Sequence, residues 1–242
     1  MTRIFFAVCI ASIFVTSSCN FIGGKRVRGN GSVTTENRSV GSFDEVEAHG
    51  AIDVYVRQGE PGPVKIVTDE NLQQYIIVES RGNMVEISFK DGYNLRPSNK
   101  VKAYISSPNY TRLDVSGACN IYGDGKLKLN NGLTMQVSGA GDIKMDIDAP
   151  EVKAQISGAG NMSMTGQTRN VEIDISGAGK AKCYDLMAET TKVDISGAGS
   201  AEVYASVFLD AQVSGAGSVK YKGNATKVSQ QVSGAGSVKK TD

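Results

Sequence analysis

Val171-Glu172-Ile173-Asp174-Ile175 alternates apolar and polar residues, breaks at Ser176-Gly177-Ala178-Gly179, and resumes its alternation through Lys180-Ala181-Lys182-Cys183. A period of two is the mark of a β-strand with one buried face, so this stretch predicts two strands joined at a corner. The passage recurs. Ser-Gly-Ala begins at Ser116, Ser138, Ser157, Ser176, Ser196, Ser214 and Ser233, at intervals of 22, 19, 19, 20, 18 and 19 residues. A fixed period near this length, without a helical pattern, predicts a solenoid.

Aligned on the serine, the residue before it is Val115, Val137, Ile156, Ile175, Ile195, Val213 or Val232, and two positions earlier stand Leu113, Met135, Ala154, Ile173, Val193, Ala211 and Gln230. Between these columns lies a polar one: Asp114, Gln136, Gln155, Asp174, Asp194, Gln212 and Gln231. Beyond the corner, Ile121, Ile143, Met162, Ala181, Ala201, Val219 and Val238 are expected to point inward. Tyr122, Lys144, Ser163, Lys182, Glu202, Lys220 and Lys239 are expected to point outward. Strands recurring in one direction once per coil pair in parallel. The predicted fold is therefore all-β, a parallel β-helix of about 19-residue coils, right-handed by the usual rule for parallel crossovers.

The corner residues Ser138, Gly139, Gly141, Ser157, Gly158, Gly160, Ser176, Gly177 and Gly179 are assigned to geometry. Glycine supplies positive φ, alanine is expected to fill the crowded inside of the bend, and serine to bond backbone left unpaired there. Residues 111–242 form the regular coils, with 228–242 as a capping turn because Gln230 enters an apolar column and Lys239 and Lys240 crowd the end. Residues 41–110 carry the same grammar less regularly, with His49-Gly50-Ala51 a decayed corner and strands expected at 64–68, 75–79, 84–89 and 101–106. Residues 19–40, rich in Gly, Ser, Thr and Asn, read as a flexible tether.

With 26 Lys+Arg against 25 Asp+Glu the chain is nearly neutral, which removes the electrostatic case for nucleic acid. Residues 1–18 read as an export signal: Arg3, an apolar run from Ile4 to Val15, then Thr16-Ser17-Ser18 before Cys19. That box resembles the cleavage site of bacterial lipoproteins, and the resemblance implies a lipid on Cys19 and anchorage in a membrane. No acidic residue follows in Asn20-Phe21-Ile22-Gly23-Gly24-Lys25-Arg26, so an outer-membrane lipoprotein facing the periplasm and one facing outward are both open.

The entry from Phe43 to Val56 with its His-Gly-Ala, the repeated Val-x-Ile/Val-Ser-Gly-Ala-Gly and the preceding signal together resemble the bacterial family called putative auto-transporter adhesin, head GIN domain, over about residues 41–240. The resemblance implies an exported β-helical protein. Some relatives have been called pectinase-like, which keeps a carbohydrate-active enzyme as the alternative to an adhesin-like binding or scaffold module, one suited to glycans by its long polar ladders.

The candidate binding face is the polar column Asp114, Gln136, Gln155, Asp174, Asp194 and Gln212. Asp174 and Asp194 fall on successive coils, about 5 Å apart, a separation that glycosidases of the retaining class also use. The bland reading, a solvated strand exterior, is preferred, and no catalytic residue is assigned. A Ca²⁺ site would need six or more oxygens that the sequence does not gather, and the glycines lack the spacing of a phosphate loop. His49, the only histidine, excludes a His-pair metal site and is expected to serve the turn; no metal or cofactor is assigned. Cys119 and Cys183 lie three coils apart, about 14 Å by the coil rise, too far for a disulfide.

Overall fold

In the computed structural model residues 24–241 are described; the export signal expected over residues 1–18 and Cys19 lie outside them. The chain winds into a β-solenoid of about 6 turns. The columns read from sequence are its ladders. Leu113 pairs with Met135, then Ala154, Ile173, Val193, Ala211 and Gln230 follow in parallel register without a slip. The inward residues of the repeat from Leu113 to Val219 are at most 2% exposed in these columns, and burying each Val, Ile, Leu or Met contributes about 1.5–3 kcal/mol. A one-residue slip would turn all of them outward, so the register has no competitor.

Two short strands per coil is an incomplete description. In two successive coils one strand runs unbroken, Asp142–Gly158 and then Asn161–Gly177, and a third side buries Leu127, Ile147, Leu186 and Ala188. The longer first interval is accommodated locally. A bulge at Gly123-Asp124-Gly125 breaks the pairing between Tyr122 and Lys126, and the next turn, before Leu133, takes one further residue.

The corners use their two glycines differently. Gly158 has φ +116°, where a side chain is strained. Gly160 has ordinary φ, but a Cβ there would stand 2.3 Å from Val137 Cγ1 and 2.4 Å from the Gly141 carbonyl oxygen. The inside of the bend is thus filled by the second glycine. Ala140, Ala159 and Ala178 are exposed, which corrects the role expected of alanine. Ser138, Ser157 and Ser176 are exposed too. The backbone they were expected to satisfy is already paired between coils, Ala159 N–H to Gly139 O at 2.9 Å and Asn161 N–H to Gly141 O at 3.1 Å. In the two earlier coils the second-glycine position holds Ile52 and then Cys119, both fully buried, so the corner narrows along the stack.

The N-terminal part departs most from expectation. Residues expected to form a tether are strands: Lys25–Arg28 pairs in parallel with Tyr93–Arg96, and Val33–Arg38 pairs antiparallel with Val64–Asp69. Glycine, threonine and asparagine there suggested a linker, but every second residue of Val33–Arg38 is only part-exposed, and an edge strand tolerates polar side chains on its open face. Val64–Asp69 is also antiparallel to Val101–Ser107, and Ile76–Arg81 to Met84–Phe89, so antiparallel strands close this end of the parallel ladder. The opposite end is open. Lys227–Gly234 is exposed throughout, with Val228 and Val232 at 40% and 43%, so the last coil covers its neighbour but not itself. Among the described residues no helix is long and apolar enough to cross a membrane.

Candidate binding site

The predicted polar face assembles in register. Asp114, Gln136, Gln155, Asp174, Asp194 and Gln212 form one ladder, and Glu47 and Glu86 extend it towards the N-terminal end. Arg112 Nε donates to Asp114 Oδ2 at 2.7 Å and its terminal nitrogen to Gln136 Oε1 at 3.2 Å. Burial raises the Asp114 carboxyl, against the lowering pull of that arginine. Lys153 lies 3.9 Å from Asp174 and 3.3 Å from Glu172, which Lys192 approaches to 2.8 Å. These ion pairs hold Glu172 below the usual carboxylate range, chiefly through the Lys192 hydrogen bond. Asp174 and Asp194 are both half-buried, and Asp174 accepts from Gln155 Nε2 at 3.5 Å and lies beside Lys153. With Gln136, Gln155, Ser157 and Ser176 they line a shallow groove of about 300 Å³.

A second feature was not read from sequence. On the side that follows the corner, Tyr104, Tyr55 and Tyr122 fall in one outward column, because Val101–Ser107, Ile52–Gln58 and Asn120–Lys128 are successive parallel neighbours. The rings of Tyr55 and Tyr104 stack at 4.8 Å and 15°, and Tyr122 lies tilted 5.4 Å beyond Tyr55. Tyr104 is 37% exposed and the other two are half-buried. Burial, then the nearby Asp53, raises the Tyr122 hydroxyl above its ordinary value.

The Gly123-Asp124-Gly125 bulge sits directly after Tyr122. Bulges re-aim the chain beside functional surfaces, and this one, tied down by Arg57 Nε to Asp124 at 3.0 Å, forms a wall of a groove of about 460 Å³. Tyr55, Tyr122, Asp124, Lys144 and Asp146 line it. Beneath the ladder a hydrogen-bonded series stiffens the corner: Asn120 Nδ2 donates to Asp53 Oδ1 at 2.7 Å, and Asn161 Nδ2 to Asp142 Oδ1 at 2.8 Å. A rigid aromatic strip beside paired charges can pack its ring edges against apolar groups and hydrogen-bond to polar ones. Only the alternation of tyrosine with buried Val54 and Ala103 hinted at it in the sequence.

Cys119 and Cys183 are both free, as expected, and both are buried. His49 occupies the serine column, in register with Ser116, and its Nε2 lies 3.1 Å from Glu47 Oε1.

Exposed polar ladders and an aromatic groove on a parallel β-solenoid define the class of fold. The chain belongs to the family described as "Putative auto-transporter adhesin, head GIN domain", whose pattern matches residues 42–225. Among solved structures it is similar to a putative adhesin from Bacteroides fragilis, with TM-score 0.82, 23% identity and coverage of 89% of this chain and 100% of that one. It is likewise similar to a putative lipid binding protein from Parabacteroides distasonis, with TM-score 0.77, 24% identity and coverage of 90% and 100%. A putative adhesin from the same species gives TM-score 0.72 at 25% identity, covering 90% of this chain and 100% of that one. No protein of curated function matches the chain.

Proposed function

We propose that this protein is a non-catalytic, adhesin-like module of the cell envelope that binds extended glycans along the Tyr104-Tyr55-Tyr122 strip, and that a lipid on Cys19 anchors it in the outer membrane. The observation that carries the reading is the stacked ring ladder running into the bulge-walled groove. The rings cover one another's faces, so sugar C–H groups pack against their outward edges while hydroxyls pair with Asp124, Lys144 and Asp146. Coil spacing of about 4.8 Å places the rings at a repeat comparable to one sugar residue. The polar ladder with Asp174 and Asp194 offers further hydrogen-bonding groups, of which Asp174 is ion-paired with Lys153.

A glycan array on the protein lacking residues 1–19 tests this, followed by titration of the best ligand. A Tyr55→Ala, Tyr104→Ala double variant is expected to bind about tenfold more weakly or worse, roughly 1.4 kcal/mol. Unchanged affinity in that variant refutes the site. Release of reducing sugar that disappears in an Asp174→Ala, Asp194→Ala variant would establish the enzyme alternative. Labelling with radioactive palmitate, lost in Cys19→Ser, tests the anchor, and proteolysis of intact cells tests which way the module faces.

A further inference from the structure

Two substitutions in the repeat coincide. His49 stands where the later corners carry serine, and beside it the polar column carries Glu47 and Glu86 in place of the shorter Asp or the neutral Gln found from Asp114 to Gln231. Glu47 and His49 are two apart on strand Glu45–Gly50, so both side chains leave the same face. Glu86 is the direct partner of Glu47 on the neighbouring parallel strand Met84–Phe89. Register and pleat alone therefore gather an imidazole and two carboxylates. One ligand atom from each lies within 4.8 Å of the other two, and His49 Nε2 is 3.1 Å from Glu47 Oε1. Ligand atoms around a tetrahedral zinc, with bonds of about 2.0–2.1 Å, stand about 3.3 Å apart.

The surroundings suit a cation. Arg81 holds one oxygen of Glu86 at 2.7 Å, fixing that carboxylate from outside and leaving its second oxygen free, as supporting hydrogen bonds do in metal centres. On the other flank Asp114, the strand partner of Glu47, is ion-paired with Arg112 through Oδ2, while its Oδ1 is buried with no hydrogen-bond partner. A groove of about 670 Å³, lined by His49, Glu79, Arg81, Glu86, Lys90 and Asp91, opens onto His49 and Glu86 and gives water access to the remaining coordination positions.

We propose that Glu47, His49 and Glu86 form a mononuclear site for a divalent transition-metal ion of the zinc class, its remaining positions open to solvent. Imidazole with carboxylates selects such ions over Ca²⁺ and Mg²⁺, which take oxygen alone. The site lies on the side before the corner, apart from the tyrosine strip, and stands independently of glycan binding.

The test uses the tag-free chain, because an added histidine tag would bind the probe. Titration with ZnCl2 is expected to show one equivalent bound, and the ring signals of His49, the only histidine, are expected to shift in the NMR spectrum with ZnCl2 and not with CaCl2 or MgCl2. His49→Ser is safe for folding, since serine fills the same column in the later coils. It and Glu86→Gln are each expected to weaken zinc binding about tenfold or more in calorimetry, while Asp91→Asn, which lines the groove outside the triad, does not. Unshifted His49 signals in zinc, or unchanged affinity in His49→Ser, would overturn the site.

Discussion

The point at which a Cβ on Gly158 would stand is 2.6 Å from the carbonyl oxygen of Gly139, its strand partner one coil earlier. Both its left-handed φ and this backbone approach exclude a side chain. Gly158→Ala is therefore expected to lower stability by about 2–4 kcal/mol in urea unfolding. Gly31→Ala provides the contrast: its φ is +82° but no atom lies within 4 Å of the added carbon, so strain alone acts and about 1 kcal/mol is expected. Equal costs at the two positions would show that stacking does not constrain the corner.

Val213 and Val232 share one inward column, yet Val213 is 2% exposed and Val232, in the last coil, 43%. A lysine at Val232 can reach water, whereas one at Val213 is an unpaired charge inside the stack. Val213→Lys is expected to unfold the C-terminal coils. Val232→Lys is expected to leave the melting temperature within the small range of surface changes, about 0.5 kcal/mol, and to reduce self-association at the open edge. Thermal melts and light scattering read the two effects.

Burial pushes the Cys119 thiol up to about 11 and the Cys183 thiol up to about 12, and the Ile52 amide donates to Cys119 Sγ at 3.4 Å. Neither forms a thiolate near neutral pH. Both are expected to resist alkylation by iodoacetamide at pH 8 in the folded protein and to react fully in denaturant, as counted by mass spectrometry.

Asp69 is fully buried where the N-terminal strands close the solenoid, and accepts hydrogen bonds from Gly31 N–H at 2.8 Å, Ser98 N–H at 2.8 Å and Ser98 Oγ–H at 2.7 Å. Burial alone would raise its carboxyl, but the bonds from Ser98 and Gly31 outweigh it and hold it below the ordinary aspartate value. A depressed folded-state value stabilises above the unfolded value and loses that contribution as pH falls through the folded one. Asp69→Asn is expected to cost about 1–3 kcal/mol at pH 7, with the gap from the parent closing below about pH 4. A gap that stays constant with pH would contradict the charged state of Asp69.

What could be read without coordinates was the part with a period. From Ile173 to Gly179 a strand, its buried face and its corner follow from alternation and glycine placement, and His49-Gly50 falls in register with Ser116-Gly117 as its resemblance to later corners implied. The polar column was legible for the same reason. Tyr55, Tyr104 and Tyr122 were not, because their neighbourhood depends on Val101–Ser107 entering the stack before Ile52–Gln58, an order opposite to the chain. Glu86 reaches Glu47 by a similar reversal.

The sequence by itself determined the coil: its length, its inward residues, the glycine corners and the near-neutral exterior, since a slip of one residue would expose every buried side chain. Only the tertiary structure decided how the ladder ends and what its faces gather. Lys25–Arg28 and Val33–Arg38 became strands because Tyr93–Arg96 and Val64–Asp69 had edges to pair, the first in parallel and the second antiparallel. Such closure depends on long-range pairing, which no local period encodes.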